Sequence, residues 1–149
     1  MSTQNVVEKP TLSTSRLALI AHDGKKADMI AFATFNRETL KKFLLVATAT
    51  TGKLLIEKVG LPVEVLESGP VGGDVQIAAR VVQGEIDAVI FLVDPLDKHP
   101  HDPDIQTLLR ICNVRQVPLA TNIATADMVI SSPLLGKRED LWGIHDQTK

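Results

Sequence analysis

The sequence predicts an α/β fold: a single doubly wound domain with a five-stranded, mostly parallel sheet and helices on both faces. Three observations point there. Short β-rich apolar runs alternate with longer helical patterns along the 149 residues. The run IDAVIFLV, Ile86 to Val93, is continuously apolar, as a central parallel strand buried on both faces must be. Connections are short, and neither a linker nor an internal repeat divides the chain.

The elements follow in order. RLALIA, Arg16 to Ala21, reads as the first strand, and a helix containing AFATF begins near Lys25. FLLVAT, Phe43 to Thr48, is the second strand, followed by a short helix over GKLLIEKV. PVEVLE, Pro62 to Glu67, alternates with period two and forms the third. In the next helix, DVQIAARVVQ, the pattern assigns Val75, Ala78, Ala79 and Val82 to one apolar face, and Gly84 stops it. IDAVIFLV is the fourth strand. A loop rich in Asp, Pro and His leads to the helix DIQTLLRICNV, then to VPLAT as the fifth strand and a last helix from about Thr125. Residues 1–15, polar and without the apolar middle of a signal peptide, are expected to be a flexible arm, with the domain spanning 16–149.

Composition narrows the function. A net charge of −2 and a pI near 6.1 give no basic field for nucleic acid. With no Tyr and a single Trp, base-stacking platforms are also not expected. No apolar run reaches the roughly 20 residues of a membrane span. One cysteine, Cys112, excludes an internal disulfide and fits a reducing compartment. The expectation is a soluble, cytoplasmic protein.

In parallel sheets of this kind ligands sit outside the carboxyl ends of the strands. Here HDGKK, TATTG, ESGPVGGD, DPLDKHPHDPD and TNIAT follow the five strands in turn, so that rim is the expected site. In TATTG, Thr48 to Gly52, hydroxyls join the free N–H groups of a helix start, which suits a phosphate. The alternative is that Thr50 or Thr51 merely caps the helix. Lys26 could add a cation or remain a solvated lysine. Asp23 reads as the N-cap of the first helix, and His22 as either a ligand contact or a structural hydrogen-bonder. The stretch HPHDPD resembles a metal site, but Pro100 and Pro103 fix extended turns and no helical ligand spacing appears, so no metal is expected. His101 and Asp104 could instead handle protons, or Asp104 could complement a helix dipole. Asp74 ends a glycine loop that should welcome an anion. It either stabilises the helix start or faces the carbon skeleton beside a bound phosphate and removes an α-proton. His101 and the N–H groups of the glycine loop would then stabilise the enolate oxygen.

These segments (ALIAHD, ATATTG, SGPVGGD, VIFLVDPLDKHPHDPD and VPLATNIATAD, in that order) resemble methylglyoxal synthases from Leu17 to about Pro133. The resemblance implies a doubly wound domain, commonly hexameric, that converts dihydroxyacetone phosphate to methylglyoxal and inorganic phosphate without metal or organic cofactor. It implies that Asp74 is the catalytic base, that His101 sits at the substrate's oxygens and that Asp104 supports catalysis. Substrate binding would fall to His22, Lys26, Thr48, Ala49, Thr50, Thr51, Ser68, Gly69 and His101, and Asp23 and Arg110 would join a wider polar network. The implied partners are a small phosphorylated substrate, inorganic phosphate as product and candidate inhibitor, and further copies of the chain in a homo-oligomer. Ala49 stands where the family commonly has glycine, and would be strained if that position needs positive φ. The segment from Leu134 to Lys149 departs from the family's ending and lacks its late basic residue. A non-catalytic regulatory domain of the same fold is the alternative; it would have no need for Asp74, His101 and Asp104 together. A phosphoacceptor receiver would need an aspartate ending the third strand and a lysine ending the fifth, where this chain has Glu67 and ATN. An interaction scaffold leaves five polar strand ends unexplained.

Overall fold

The computed structural model describes residues 14–97 and 102–136. Five strands form one sheet: β1 (Arg16–Ala21), β2 (Leu44–Ala47), β3 (Glu64–Val65), β4 (Ala88–Leu92) and β5 (Leu119–Ala120). Their order is β3-β2-β1-β4-β5, and every neighbouring pair is parallel. The helices are α1 (Lys26–Phe35), α2 (Arg37–Leu40), α3 (Ala49–Leu54), α4 (Gly73–Val82), α5 (Asp102–Arg115) and α6 (Ile123–Ser131), and a π turn over Leu55–Val59 extends α3.

Alternation along the central strands divides the core in two. Leu17, Leu19 and Ala21 of β1 point to the face covered by α1, the π turn and α6, meeting Met29, Phe32, Leu55, Ala126 and Ile130. Ala18 and Ile20 point to the other face, where α4 contributes Ile77, Ala78 and Val81 and α5 contributes Ile105, Leu108 and Cys112. All five residues of β4 are buried, as its unbroken apolar run required.

Several boundaries differ from the sequence reading, for physical reasons. β3 keeps only two residues, both exposed, because it lies at the sheet edge and Pro62 has no N–H to donate to a ladder. Ser15 is buried, and its carbonyl accepts a hydrogen bond from the Leu44 N–H at 2.9 Å, so the packed domain includes it. Residues 1–13 of the expected arm lie outside the described residues, as do residues 137–149. Helix α6 starts two residues early because the Asn122 side chain accepts from the Thr125 N–H at 2.9 Å and caps it.

The apolar face assigned to α4 is corrected. Asp74, Ile77, Ala78 and Val81 are buried, whereas Val75, Ala79 and Val82 face outward. A ten-residue helix rich in small and β-branched residues carries two candidate apolar stripes, and its periodicity alone does not choose between them. The choice is made at its first residue. A Cβ on Gly73 would lie 2.1 Å from the Glu67 carbonyl oxygen and 2.8 Å from Thr48 Cγ2. That close approach docks the helix start against the ends of β2 and β3 and turns Ile77 toward the sheet.

Candidate active site

The strand order reverses at β1, so a crevice opens at the carboxyl ends of β1 and β4. His22 leaves β1 there and is buried. Its main-chain N–H donates to the Leu92 carbonyl at 3.1 Å, and its ring meets Phe91 edge-on at 5.1 Å. The Asp94 N–H donates to His22 Nδ1 at 3.0 Å. Because Nδ1 accepts, the neutral ring carries its proton on Nε2.

Asp23 is not a cap. It lies inside a 3₁₀ turn, Asp23–Lys25, and caps neither that turn nor α1. Its carboxylate is fully exposed and stands 3.5 Å from the Lys26 ammonium. Lys26 is no solvated lysine: its side chain is 16% exposed, and the ammonium also donates to the Ala21 carbonyl. Burial lowers its pKa from the ordinary 10.5, while the carboxylates of Asp23 and Asp74 pull it back upward.

At the end of β2, Thr48 is the N-cap of α3 in extended backbone, yet its side chain makes no capping hydrogen bond. Capping therefore does not explain the threonines. Thr48 and Thr51 are buried, Thr50 is exposed, and among the described residues the shielded Thr51 Oγ1 has no hydrogen-bond partner. An oxygen kept from water without a partner is costly to the fold. A phosphate oxygen there would satisfy it. The Ala49 N–H donates to the Glu67 carbonyl at 3.2 Å. Among the described residues only Gln116 is a non-glycine with positive φ, so Ala49 sits at α3's first position without strain.

The glycine loop folds back onto the same place. Ser68 leads into a 3₁₀ turn over Gly69–Val71, and its carbonyl accepts from the Gly73 N–H at 2.8 Å. Ser68 and Gly69 are half-buried. Gly72, at φ 110°, makes the left-handed step that aims the chain into α4. Asp74 follows at 0% exposure, close enough for its charge to act on Lys26. Ends of β1, β2 and β3 thus converge on one buried carboxylate, one nearly buried ammonium and two buried hydroxyls.

Of the other predicted positions, His101 lies outside the described residues, and Asp104 falls in the first turn of α5 with its side chain outside them. Arg110 is exposed on α5. Among the described residues no three His, Cys, Asp or Glu side chains gather as a metal cluster. Sequence reasoning gave no role to Asp94 or Gly24. Asp94 directly follows the central strand and begins the loop in which attention fell on the histidines; Gly24 is hidden in HDG as an ordinary turn residue.

A family model described as MGS-like domain matches residues 28–121. Over 115 residues the chain is 53% identical to the methylglyoxal synthase of Clostridium botulinum (strain Alaska E43 / Type E3), covering 77% of this chain and 97% of that protein. The chain belongs to the methylglyoxal synthase family. A methylglyoxal synthase of Thermus thermophilus is also 53% identical over 115 residues, 77% of this chain and 91% of that one. The crystal structure of methylglyoxal synthase from Elizabethkingia anophelis NUHP1 matches with a TM-score of 0.78 and 43% identity, over 82% of this chain and 80% of that one.

Proposed function

We propose that this methylglyoxal synthase family member is a phosphate-eliminating lyase that converts dihydroxyacetone phosphate to methylglyoxal and inorganic phosphate. The observation that carries this reading is Asp74: a carboxylate buried completely at a helix start, beside the Lys26 ammonium and the threonines of α3. A carboxylate needed only to complement a helix dipole works from the surface. The regulatory alternative gives this burial no purpose.

In this reading the phosphate lies among Lys26, Thr48, Thr50, Thr51, Ser68 and Gly69, with Ala49 supplying backbone. The carbon skeleton extends toward Asp74, so base and phosphate address opposite ends of one small molecule. Asp74 takes a proton from the hydroxymethyl carbon. The C–H electron pair forms the carbon–carbon double bond of an enediolate, and the former carbonyl oxygen takes the negative charge. His22 and His101 meet the substrate's oxygens, and Asp104 supports that side of the site. A proton passes from the terminal hydroxyl to the former carbonyl oxygen. When the phosphate C–O bond lies across the plane of the enediolate, the terminal oxygen's electron pair forms an aldehyde carbonyl while the double-bond pair shifts to join the central carbon to the carbon that bears phosphate. The C–O bond then breaks, its electrons leaving with phosphate. Lys26 and the hydroxyls stabilise that departing charge. The enol left behind takes a proton at its methylene carbon, releases its hydroxyl proton and becomes methylglyoxal. No metal or organic cofactor enters this scheme.

The same reading places the protein in the cytoplasm as a homo-oligomer, hexameric by analogy with the family. Val71, Val75 and Val82 stand exposed along the outer side of α4 and its preceding turn, which supports assembly through apolar surface.

The test follows methylglyoxal and inorganic phosphate together during incubation of the purified protein with dihydroxyacetone phosphate. Equal release of both is expected. Asp74→Asn should lose about 10²- to 10⁴-fold in turnover, the scale of a general base, while inorganic phosphate still binds. An Asp74→Asn protein with full activity would refute the assignment of the base.

A further inference from the structure

We propose that Gly24 is a positioning residue: by leaving space for the Asp94 carboxylate it seats the turn after β4 so that His22 is held as a neutral ring with its proton on Nε2. The proposal deepens the reading above, since it takes His22 to meet the substrate.

A Cβ on Gly24 would lie 2.3 Å from Asp94 Oδ2, closer than such atoms approach one another, and 3.3 Å from its Cγ. The carboxylate therefore occupies the volume that any other residue at position 24 would fill. Its second oxygen, Oδ1, accepts from the Leu96 N–H at 3.0 Å and closes the turn on the far side. A side chain at position 24 would push this carboxylate, and the turn with it, away from the place from which the Asp94 N–H points. It points at His22 Nδ1, at 3.0 Å.

A main-chain N–H can only donate. An Nδ1 that receives it must offer a lone pair, so the bond opposes both the Nδ1–H tautomer and the imidazolium. Two further contacts of His22, its main-chain N–H bond to Leu92 and the edge-on meeting of its ring with Phe91, are indifferent to tautomer. Proton placement on His22 thus depends on the turn, and the turn depends on the missing side chain at position 24. A donor with a fixed proton suits an oxygen on which negative charge develops, because nothing has to reorganise during reaction. An outer partner setting the tautomer of an inner histidine is a familiar division of labour in polar sites.

The experiment compares wild type, Gly24→Ala, Asp94→Ala and the double variant. The tautomer of the His22 ring is read from long-range ¹H–¹⁵N correlations. Steady-state constants are measured with dihydroxyacetone phosphate. Wild type should show a protonated Nε2 and an unprotonated Nδ1. Gly24→Ala should show mixed tautomers and a loss of about a hundredfold in kcat, the scale of a displacement of about 1 Å, with a smaller change in KM. Removing the Asp94 carboxylate takes away the clash yet keeps the main-chain N–H. The double variant should therefore regain the Nε2–H tautomer and be no slower than Asp94→Ala alone. If Gly24→Ala folds poorly, the double variant decides, since the proposal requires it to fold and to carry that tautomer.

A wild-type ring protonated on Nδ1 would overturn the proposal. So would Gly24→Ala that keeps the wild-type tautomer, whatever its rate, or a double variant with mixed tautomers. These spectra need no turnover. A wild-type protein inactive on dihydroxyacetone phosphate therefore refutes the enzymatic reading without deciding the role of Gly24.

Discussion

Gly73 carries more of the site than its missing side chain suggests. It is the point where the glycine loop, the end of β2 and the start of α4 come within contact of one another. Gly73→Ala should cost about 1–3 kcal/mol through overpacking, and should lower turnover by displacing the start of α4 and Asp74 with it. Thermal unfolding and a rate assay on the same preparation check both halves. Lys26 makes a different kind of prediction. Burial lowers its pKa below 10.5, so as pH rises its ammonium is lost earlier than that of an exposed lysine. Inhibition by inorganic phosphate should weaken as pH climbs through that lowered value, and Lys26→Arg, charged throughout, should lose this limb. For stability the sign runs the other way. Between the folded value and 10.5 the unfolded chain holds more protons, so the Lys26 contribution to folding becomes more favourable as pH rises across that window.

Helix α4 shows what an element's sequence leaves open. Its buried stripe is Ile77, Ala78 and Val81, and its outward stripe contains Val75 and Val82. Ile77→Ala should therefore destabilise the fold by about 2–5 kcal/mol. Val75→Ala, at 46% exposure, should stay within about 0.5 kcal/mol for the isolated subunit. Denaturant unfolding of the two variants distinguishes them; equal costs would restore the stripe that periodicity suggested. The helix is also tied to the edge strand by Arg80, whose two terminal nitrogens reach Glu64 at 2.8 and 2.5 Å. Both partners are partly exposed, so the pair contributes about 0.2–1 kcal/mol and weakens with salt. On α5, Cys112 is buried against the sheet, and burial pushes its thiol up to about 11. It packs as a small apolar residue and takes no part in the chemistry.

At the scale of the whole molecule, the reversal of strand order at β1 is what gathers the site. β1 lies between β2 and β4, so loops distant in sequence leave neighbouring strands at the same end of the sheet. His22 and Asp94 are 72 positions apart and hydrogen-bonded. The exposed valines on the outer side of α4 support the proposed homo-oligomer. Light scattering in solution should find a mass several times the 16.2 kDa of one chain, six times on the family analogy. A monomer at enzymatic concentrations would remove the oligomer from the proposal and leave the chemistry standing.

Much of this was legible in the residues alone. The unbroken apolar run of β4 and the alternation of strands with helices required a parallel sheet covered on both faces, because burial and backbone pairing are local demands repeated along the chain. TATTG and SGPVGGD announced a threonine-rich helix start and, after a glycine loop, a carboxylate at the start of the next helix, since glycine, threonine and a helix N-terminus carry their meaning in the sequence. The ordered set of motifs carried the family as well. What the sequence left open was everything decided between segments. The stripe of α4 that faces inward, the burial of Lys26, the Asp94 carboxylate set against Gly24 and the proton position on His22 each depend on an atom supplied by another element. Local periodicity sets which residues an element offers; only close packing in three dimensions sets which of them meet.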